Sequence, residues 1–323
     1  MGGGGRPLVS RIAFLFPGQG SQAVGMGRSL AERYPEAREV FERGDQVLGF
    51  PLSTLCFEGP IEELTRTENT QPALLVTSVA AARVLERRQI HASVGAGHSA
   101  GEFAAHVAAG SLSFEDGLLL IRRRGELMAQ AGTERPGSMV AVLGLGQAEI
   151  EGVLEAVGAP RDLAAANYNS PGQVVLSGTP QALERASEEA RKAGAKKIVP
   201  LNVSAAFHSP LMERAARALH QELAKVEIRP ARFPVYANAT ARPVQSPDEI
   251  RVTLEEQLLK PVLWEQTVRA LIRDGSRRFV EVGQGRVLRG LVKSVDREVQ
   301  LFGSEDAESA EATVQVLSQE CAA

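Results

Sequence analysis

Residues 97–101 read Gly97-His98-Ser99-Ala100-Gly101, a G-x-S-x-G pattern with a serine at its centre. Upstream, Ala92 to Ala96 is a short apolar run suited to a strand. Downstream, Glu102 to Ala109 reads as a helix closed by Gly110. Strand, sharp turn and helix in that order are the setting of a nucleophile elbow, which lifts a serine hydroxyl above the end of a sheet. Glycines two residues to either side remove the Cβ atoms that would collide in such a turn. The turn also aims the unpaired N–H groups of the helix N-terminus at any oxyanion that develops there. The alternative is an ordinary glycine-rich turn, which the flanking strand and helix disfavour.

The rest of the chain suits a soluble enzyme. At 323 residues it can bury a full-sized core, roughly three quarters of its unfolded surface. Hydrophobic and charged contents of 44% and 23% are ordinary. A net charge of -3 gives no footprint for nucleic acid. No apolar run approaches the roughly twenty residues that span a bilayer. The glycine-rich start lacks the apolar stretch of a secretory signal, so residues 1–10 are expected to form a disordered tail. Cys56 and Cys321 lie far apart with no metal-ligand spacing, which fits a reducing compartment. A cytoplasmic location is expected.

Arg11 to Phe16 reads as a first strand, cut by Pro17 and Gly18. Helices are expected over Met26 to Tyr34, Glu36 to Leu48, Pro72 to Arg88 (beneath the Ser99 strand) and Phe114 to Ala131. From about residue 137 the texture changes. Strands at Ser138 to Leu143, Leu163 to Asn167, Gln173 to Ser177 and Lys197 to Leu201 alternate with helices at Ala148 to Val157 and Pro180 to Ala193. That order, β-α-β-β-α-β, is the ferredoxin-like unit. The fold expected is therefore α/β: a large α/β-hydrolase-like subdomain (residues 11–136 and 204–323) with an inserted small ferredoxin-like subdomain (residues 137–203). The large part resumes with a helix from Pro210 to Val226 and strands near Pro234 to Asn238 and Phe279 to Val282.

A serine hydroxyl needs a base within hydrogen-bond reach before it attacks. The chain has five histidines. His98 adjoins Ser99, and neighbouring side chains diverge in such a turn; His106 lies along the helix leaving it. His91 and His220 fall in polar settings typical of a surface. His208, in Ala205-Ala206-Phe207-His208-Ser209-Pro210, sits where the inserted unit returns to the large one, and such junctions border clefts. On the residues alone His208 is favoured, without excluding the others.

Seven segments, in order, resemble the malonyl-CoA:acyl carrier protein transacylase family. They are Phe16-Pro17-Gly18-Gln19-Gly20-Ser21-Gln22, Gly97 to Glu102, Arg124-Gly125-Glu126-Leu127-Met128, Asn167 to Val175, Ala206-Phe207-His208-Ser209, Gln257 to Trp264, and Glu281-Val282-Gly283-Gln284-Gly285. The likeness covers essentially residues 11 to 300. It implies that Ser99 forms an acyl ester from malonyl-CoA, with His208 as general base and then general acid. It implies that the backbone carbonyl of Gln257 orients the imidazole, and that the backbone N–H groups of Gln19 and Ala100 form the oxyanion hole. A loop such as Gly18-Gln19-Gly20 could otherwise be a simple turn or a weak phosphate loop. The resemblance also singles out Arg124, among Arg122, Arg123 and Arg124, to grip the malonyl carboxylate with a two-pronged guanidinium. Phe207 would crowd an α-methyl group and so favour malonyl over methylmalonyl.

The expected substrate is malonyl-CoA, a coenzyme A thioester, and the expected partner an acyl carrier protein, with no cofactor, metal, nucleic acid or membrane. The chain is expected to be a monomer acting in fatty acid biosynthesis. Arg191, Lys192, Lys196, Lys197, Arg286 and Lys293 are candidates for steering an acidic carrier. A trans-acting acyltransferase of a polyketide synthase would carry the same residues. A serine esterase or thioesterase would run Ser, Asp or Glu, then His along the chain, but Asp116 and Asp162, which lie between Ser99 and His208, read as structural. A non-catalytic carrier-binding scaffold is disfavoured by the intact Ser99, His208, Arg124 and Gln19.

Overall fold

In the computed structural model, residues 11–203 and 205–322 are described; the tail expected at 1–10 and the junction residue 204 lie outside them. The strands are β1 (Arg11–Phe16), β2 (Val94–Gly97), β3 (Ser138–Leu143), β4 (Leu163–Ser170), β5 (Gln173–Gly178), β6 (Lys197–Pro200), β7 (Val235–Tyr236), β8 (Pro243–Val244), β9 (Ser276–Glu281) and β10 (Gln300–Gly303). They form two sheets. The larger runs β10-β9-β1-β2-β7-β8, with β10 to β7 parallel and β8 antiparallel at its edge.

β1 is buried from Ile12 to Phe16 and β2 along its whole length, as in parallel sheets covered on both faces. Successive side chains alternate between faces. Ile12, Phe14 and Phe16 enter one core with the helices Thr67–Arg87 and Gly101–Ala108. Ala13 and Leu15 enter a second, with Trp264, Val268 and Leu271 from the helix Trp264–Arg273.

The smaller sheet runs β4-β5-β3-β6, all neighbours antiparallel. The second and third of its strands form a hairpin, and the first lies between the third and the fourth: this is the ferredoxin-like arrangement. One face carries the helices Gln147–Val157 and Pro180–Lys192 over its own apolar core. Met139, Ala141 and Val175 on the other face join the core of the larger sheet. Backbone bonds from Tyr168 N–H to the Val262 carbonyl (2.9 Å) and from Val262 N–H to the Ala166 carbonyl (2.8 Å) tie the two parts together.

Several elements differ from expectation. The long helix starts at Thr67 instead of Pro72, and it packs chiefly on the helices Phe114–Glu134 and Pro35–Leu48. Proline inside a helix leaves the carbonyl four residues earlier without its N–H donor. Here that carbonyl, on Glu68, accepts from Arg122 Nη1 at 3.0 Å, so the helix continues through Pro72. The helix expected over 210–226 is a single 3-10 turn, Pro210–Met212, followed by Glu213–Leu223. The strand expected over 234–238 shrinks to Val235–Tyr236. Other pieces, among them Leu52–Glu58, Pro247–Glu256, Val287–Val295 and β10, were not expected from the sequence. Among the described residues no helix is long and apolar enough to cross a membrane.

The Glu68 carbonyl makes Arg122 structural. Arg122→Ala should lower the unfolding free energy by about 1–2 kcal/mol in denaturant titrations, because a half-buried acceptor loses its donor. Arg123→Ala, which removes only surface pairs to Glu126 and Glu222, should change it by less than about 0.5 kcal/mol. Equal effects would refute the assignment.

Candidate active site

Ser99 lies two residues past the end of β2 with φ +51°, a left-handed conformation that costs a non-glycine residue about 1–3 kcal/mol. Neither flanking glycine has a positive φ, so space is what requires them. A Cβ on Gly101 would strike the Phe16 carbonyl at the end of β1, and one on Gly97 would strike Gly101 itself. Asn238 clamps the turn: its Oδ1 accepts from Ser99 N–H (2.7 Å) and its Nδ2 donates to the Gly97 carbonyl (2.6 Å).

Of the five histidines, His208 reaches the serine. Its Nε2 lies 2.8 Å from Ser99 Oγ. Its Nδ1 faces two carbonyls, Gln257 at 2.9 Å and Lys260 at 3.2 Å. Carbonyls only accept, so Nδ1 carries the proton and Nε2 is left to accept from the hydroxyl. Burial, then the nearby Arg124 charge, push His208 down to about 3, so the imidazole is neutral across the physiological range. His98 diverges from Ser99, bonding Asn169 Oδ1 at 2.9 Å and packing on Trp264. His106 is buried against Ser111 Oγ, and His91 and His220 are exposed. Asp116 belongs to the Ser113 cap of the helix Phe114–Glu134, and Asp162 pairs with Arg135 at the surface.

The three arginines separate as helix geometry requires. Arg122 supports Glu68, Arg123 is exposed, and Arg124 is fully buried beside the serine. Arg124 Nη2 donates to Ser99 Oγ (3.0 Å) and Gln257 Oε1 (2.9 Å), and Nη1 donates to Gln71 Oε1 (2.8 Å). Burial lowers it to about 9, still cationic at neutral pH. These partners are neutral oxygens, leaving the positive charge available to a carboxylate that enters the site.

A cleft opens over Ser99, lined among others by Gln19, His98, Ala100, Met128, Phe207 and His208. The amides of Gln19 and Ala100 donate to no protein acceptor among the described residues. A Cβ on Gly18 would strike the His98 carbonyl, so that glycine lets the Gln19 loop lie against the elbow. A second hollow shares Gln19, His98, Asn167 and Leu201 with the first, and leads outward past Val287 and Leu291. Among the described residues no cluster of three or more His, Cys, Asp or Glu side chains is placed to hold a metal.

Sequence reading missed Gln71, Asn238 and Glu102. Gln71 is one more polar residue in an apolar helix, and Asn238 stands in a loop far along the chain. Glu102 follows the G-x-S-x-G motif directly; the one acidic side chain on a short helix otherwise of Gly, Ala, Phe, Val and His was the available signal. Burial pushes it up to about 7.

A strained serine, a carbonyl-anchored histidine and a buried arginine meet in one cleft, and residues 13–313 match the model of the acyl transferase domain. The chain belongs to the acyl transferase family. Among its relatives is the malonyl CoA-acyl carrier protein transacylase of Bacillus subtilis, 44% identical across 97% of this chain and 99% of that one. This acyl transferase also matches the polyketide biosynthesis protein ThaF of Burkholderia thailandensis, 42% identical over 89% of this chain but only 24% of the larger protein. In three dimensions it resembles a malonyl-transacylase solved with the acyl-carrier protein of a type II polyketide synthase, at a TM-score of 0.92 and 39% identity, over 95% of this chain and all of that one.

Since its histidine stays neutral far below the ordinary value, this acyl transferase should show no loss of serine reactivity near that value. Modification of Ser99 by phenylmethylsulfonyl fluoride, an uncharged reagent, should have a rate flat in its imidazole dependence from about pH 5 to about pH 8. A fall centred near the ordinary histidine value, about 6.5, would contradict the geometry.

Proposed function

We propose that this acyl transferase moves the malonyl group from malonyl-CoA to the phosphopantetheine thiol of an acyl carrier protein, through a malonyl ester on Ser99. The observation that carries the reading is Arg124: a buried guanidinium 3.0 Å from Ser99 Oγ with no carboxylate among its hydrogen-bond partners. An acyl chain ending in a carboxylate would supply that partner, through two parallel hydrogen bonds.

His208 Nε2 accepts the hydroxyl proton as Ser99 Oγ attacks the thioester carbonyl. The resulting oxyanion is held by the amides of Gln19 and Ala100; a single such donor is worth about 3–4 kcal/mol. Collapse breaks the C–S bond, and the proton on His208 goes to the departing coenzyme A thiolate. The carrier's thiol then gives its proton to His208 and attacks the ester, and Ser99 leaves with that proton. In this reading Phe207 narrows the cleft around the α-carbon of the acyl group. No metal or redox cofactor takes part.

The substrate would enter between the large unit, 11–136 with 204–323, and the inserted unit, 137–203. Lys196, Lys197 and Lys293 are exposed and would contribute to a basic rim, as would Arg191, Lys192 and Arg286, the last two paired with Glu189 and Glu305. Such a rim suits an acidic carrier. We place the enzyme in the cytoplasm as a monomer serving fatty acid biosynthesis. A discrete acyltransferase for a polyketide synthase is the second reading, favoured by the likeness to ThaF and to the type II polyketide transacylase. An esterase reading leaves Arg124 without a purpose.

Intact-mass spectrometry after mixing with malonyl-CoA should find a malonyl adduct on Ser99, absent from Ser99→Ala. Arg124→Ala should lose malonyl transfer by about 100-fold, the cost of an unpaired buried charge, and keep acetyl transfer. No adduct on the wild type, or an unchanged malonyl preference in Arg124→Ala, would defeat the reading.

A further inference from the structure

Glu102 enters none of these steps, yet the site's hydrogen bonds converge on it. It is fully buried in the first turn of the helix Gly101–Ala108. Its Oε2 accepts from Gln257 Nε2 at 2.6 Å and from Asn238 N–H at 3.2 Å, while Oε1 has no partner. The two donors belong to the residues that hold the rest of the site. Asn238 clamps both sides of the Ser99 turn. Gln257 anchors His208 through its backbone carbonyl and Arg124 through its side-chain oxygen.

A primary amide has one end that donates and one that accepts. An ionised carboxylate only accepts, so Glu102 compels the NH2 of Gln257 to face it, where it also reaches the Ser99 carbonyl at 3.1 Å. The amide oxygen is thereby turned onto Arg124. Turned over, the amide would set its own donors against those of the guanidinium, and Arg124 would lose one of the two amide oxygens that aim it.

We propose that Glu102 is a positioning residue for recognition of the acyl carboxylate: it fixes the facing of the Gln257 amide and so keeps Arg124 aimed into the cleft. This rests on the role given to Arg124 above. Glu102 touches no substrate. Protonation of Glu102 removes the compulsion on the amide. Burial places that protonation at about 7, and Arg124, on the helix Phe114–Glu134, is the charged group acting on it. Its other contacts, Gln257 and Asn238, are neutral, and burial holds His208 and, on the same helix, His106 neutral down to about 3. The grip on a carboxylate is therefore firm above pH 7 or so and loosens as the pH falls through it.

The test is single-turnover acylation of Ser99 by the malonyl and acetyl thioesters of N-acetylcysteamine, which carry no titrating phosphate, in wild type and Glu102→Gln. Wild type should show a half-saturation concentration for malonyl that rises as pH falls through about 7, with no such step for acetyl. Glu102→Gln should raise the malonyl value roughly tenfold at high pH, abolish the step, and change acetyl acylation by less than about threefold. An unchanged malonyl value with the step retained, or equal losses for both thioesters, overturns the proposal. If the variant does not fold, the wild-type profiles decide: a step confined to malonyl supports it, coincident profiles overturn it. Failure of the underlying reading looks different, because wild type and Arg124→Ala would then handle malonyl alike.

Discussion

The end of β1 presses against the turn that follows β2, and the site depends on that contact. The Phe16 carbonyl accepts from His98 N–H at 3.0 Å and leaves no room for a side chain on Gly101. Two parallel strands and the start of a helix are thereby brought closer than any other residue at 97 or 101 permits. Ser99, caught between them, is held at a left-handed φ, and the Asn238 clamp offsets the cost. The hydroxyl then projects from the sheet instead of packing into it. His208, also left-handed at φ +53°, meets it from a separate loop. Two strained residues facing each other across 2.8 Å are what a rigid surround can impose and a flexible loop cannot.

The charge economy of the cleft follows from the choice of anchor for the imidazole. A carboxylate behind His208 would stand close to Arg124 and form an ion pair with it, filling the place that an acyl carboxylate would need on the proposed reading. Two backbone carbonyls orient the ring as well and carry no charge. Arg124 is likewise held by the amide oxygens of Gln71 and Gln257. The buried acid of the site, Glu102, is kept from Arg124 by the Gln257 amide between them. A buried guanidinium without a direct counter-ion is costly in the free protein. On the proposed reading that cost would be recovered when the acyl carboxylate arrives, turning stored unfavourable energy into selectivity.

Much of this was legible in the sequence, for identifiable reasons. The elbow announces itself because strand, glycine spacing and helix are contiguous, and the βαββαβ unit because its strands and helices alternate within one short stretch. Arg124, in contrast, cannot be told from Arg122 by its neighbours; the resemblance singled it out, and the Glu68 carbonyl freed by Pro72 explains what Arg122 does instead. Asn238 reaches the Ser99 turn from a distant segment because β7, just before it, lies beside β2, and Gln71 reaches Arg124 from a different helix. Side-chain amides that serve as hydrogen-bond relays have no local pattern. Helix starts were missed where tertiary contacts override a local signal, as at Thr67.

The most direct test is a crystal structure of the enzyme with the acyl group trapped as the ester on Ser99. Expected is a carboxylate lying flat against the Arg124 guanidinium through two hydrogen bonds, with the ester carbonyl oxygen turned toward the amides of Gln19 and Ala100. An acyl group directed into solvent, with Arg124 still bound only to Gln71 and Gln257, would contradict it.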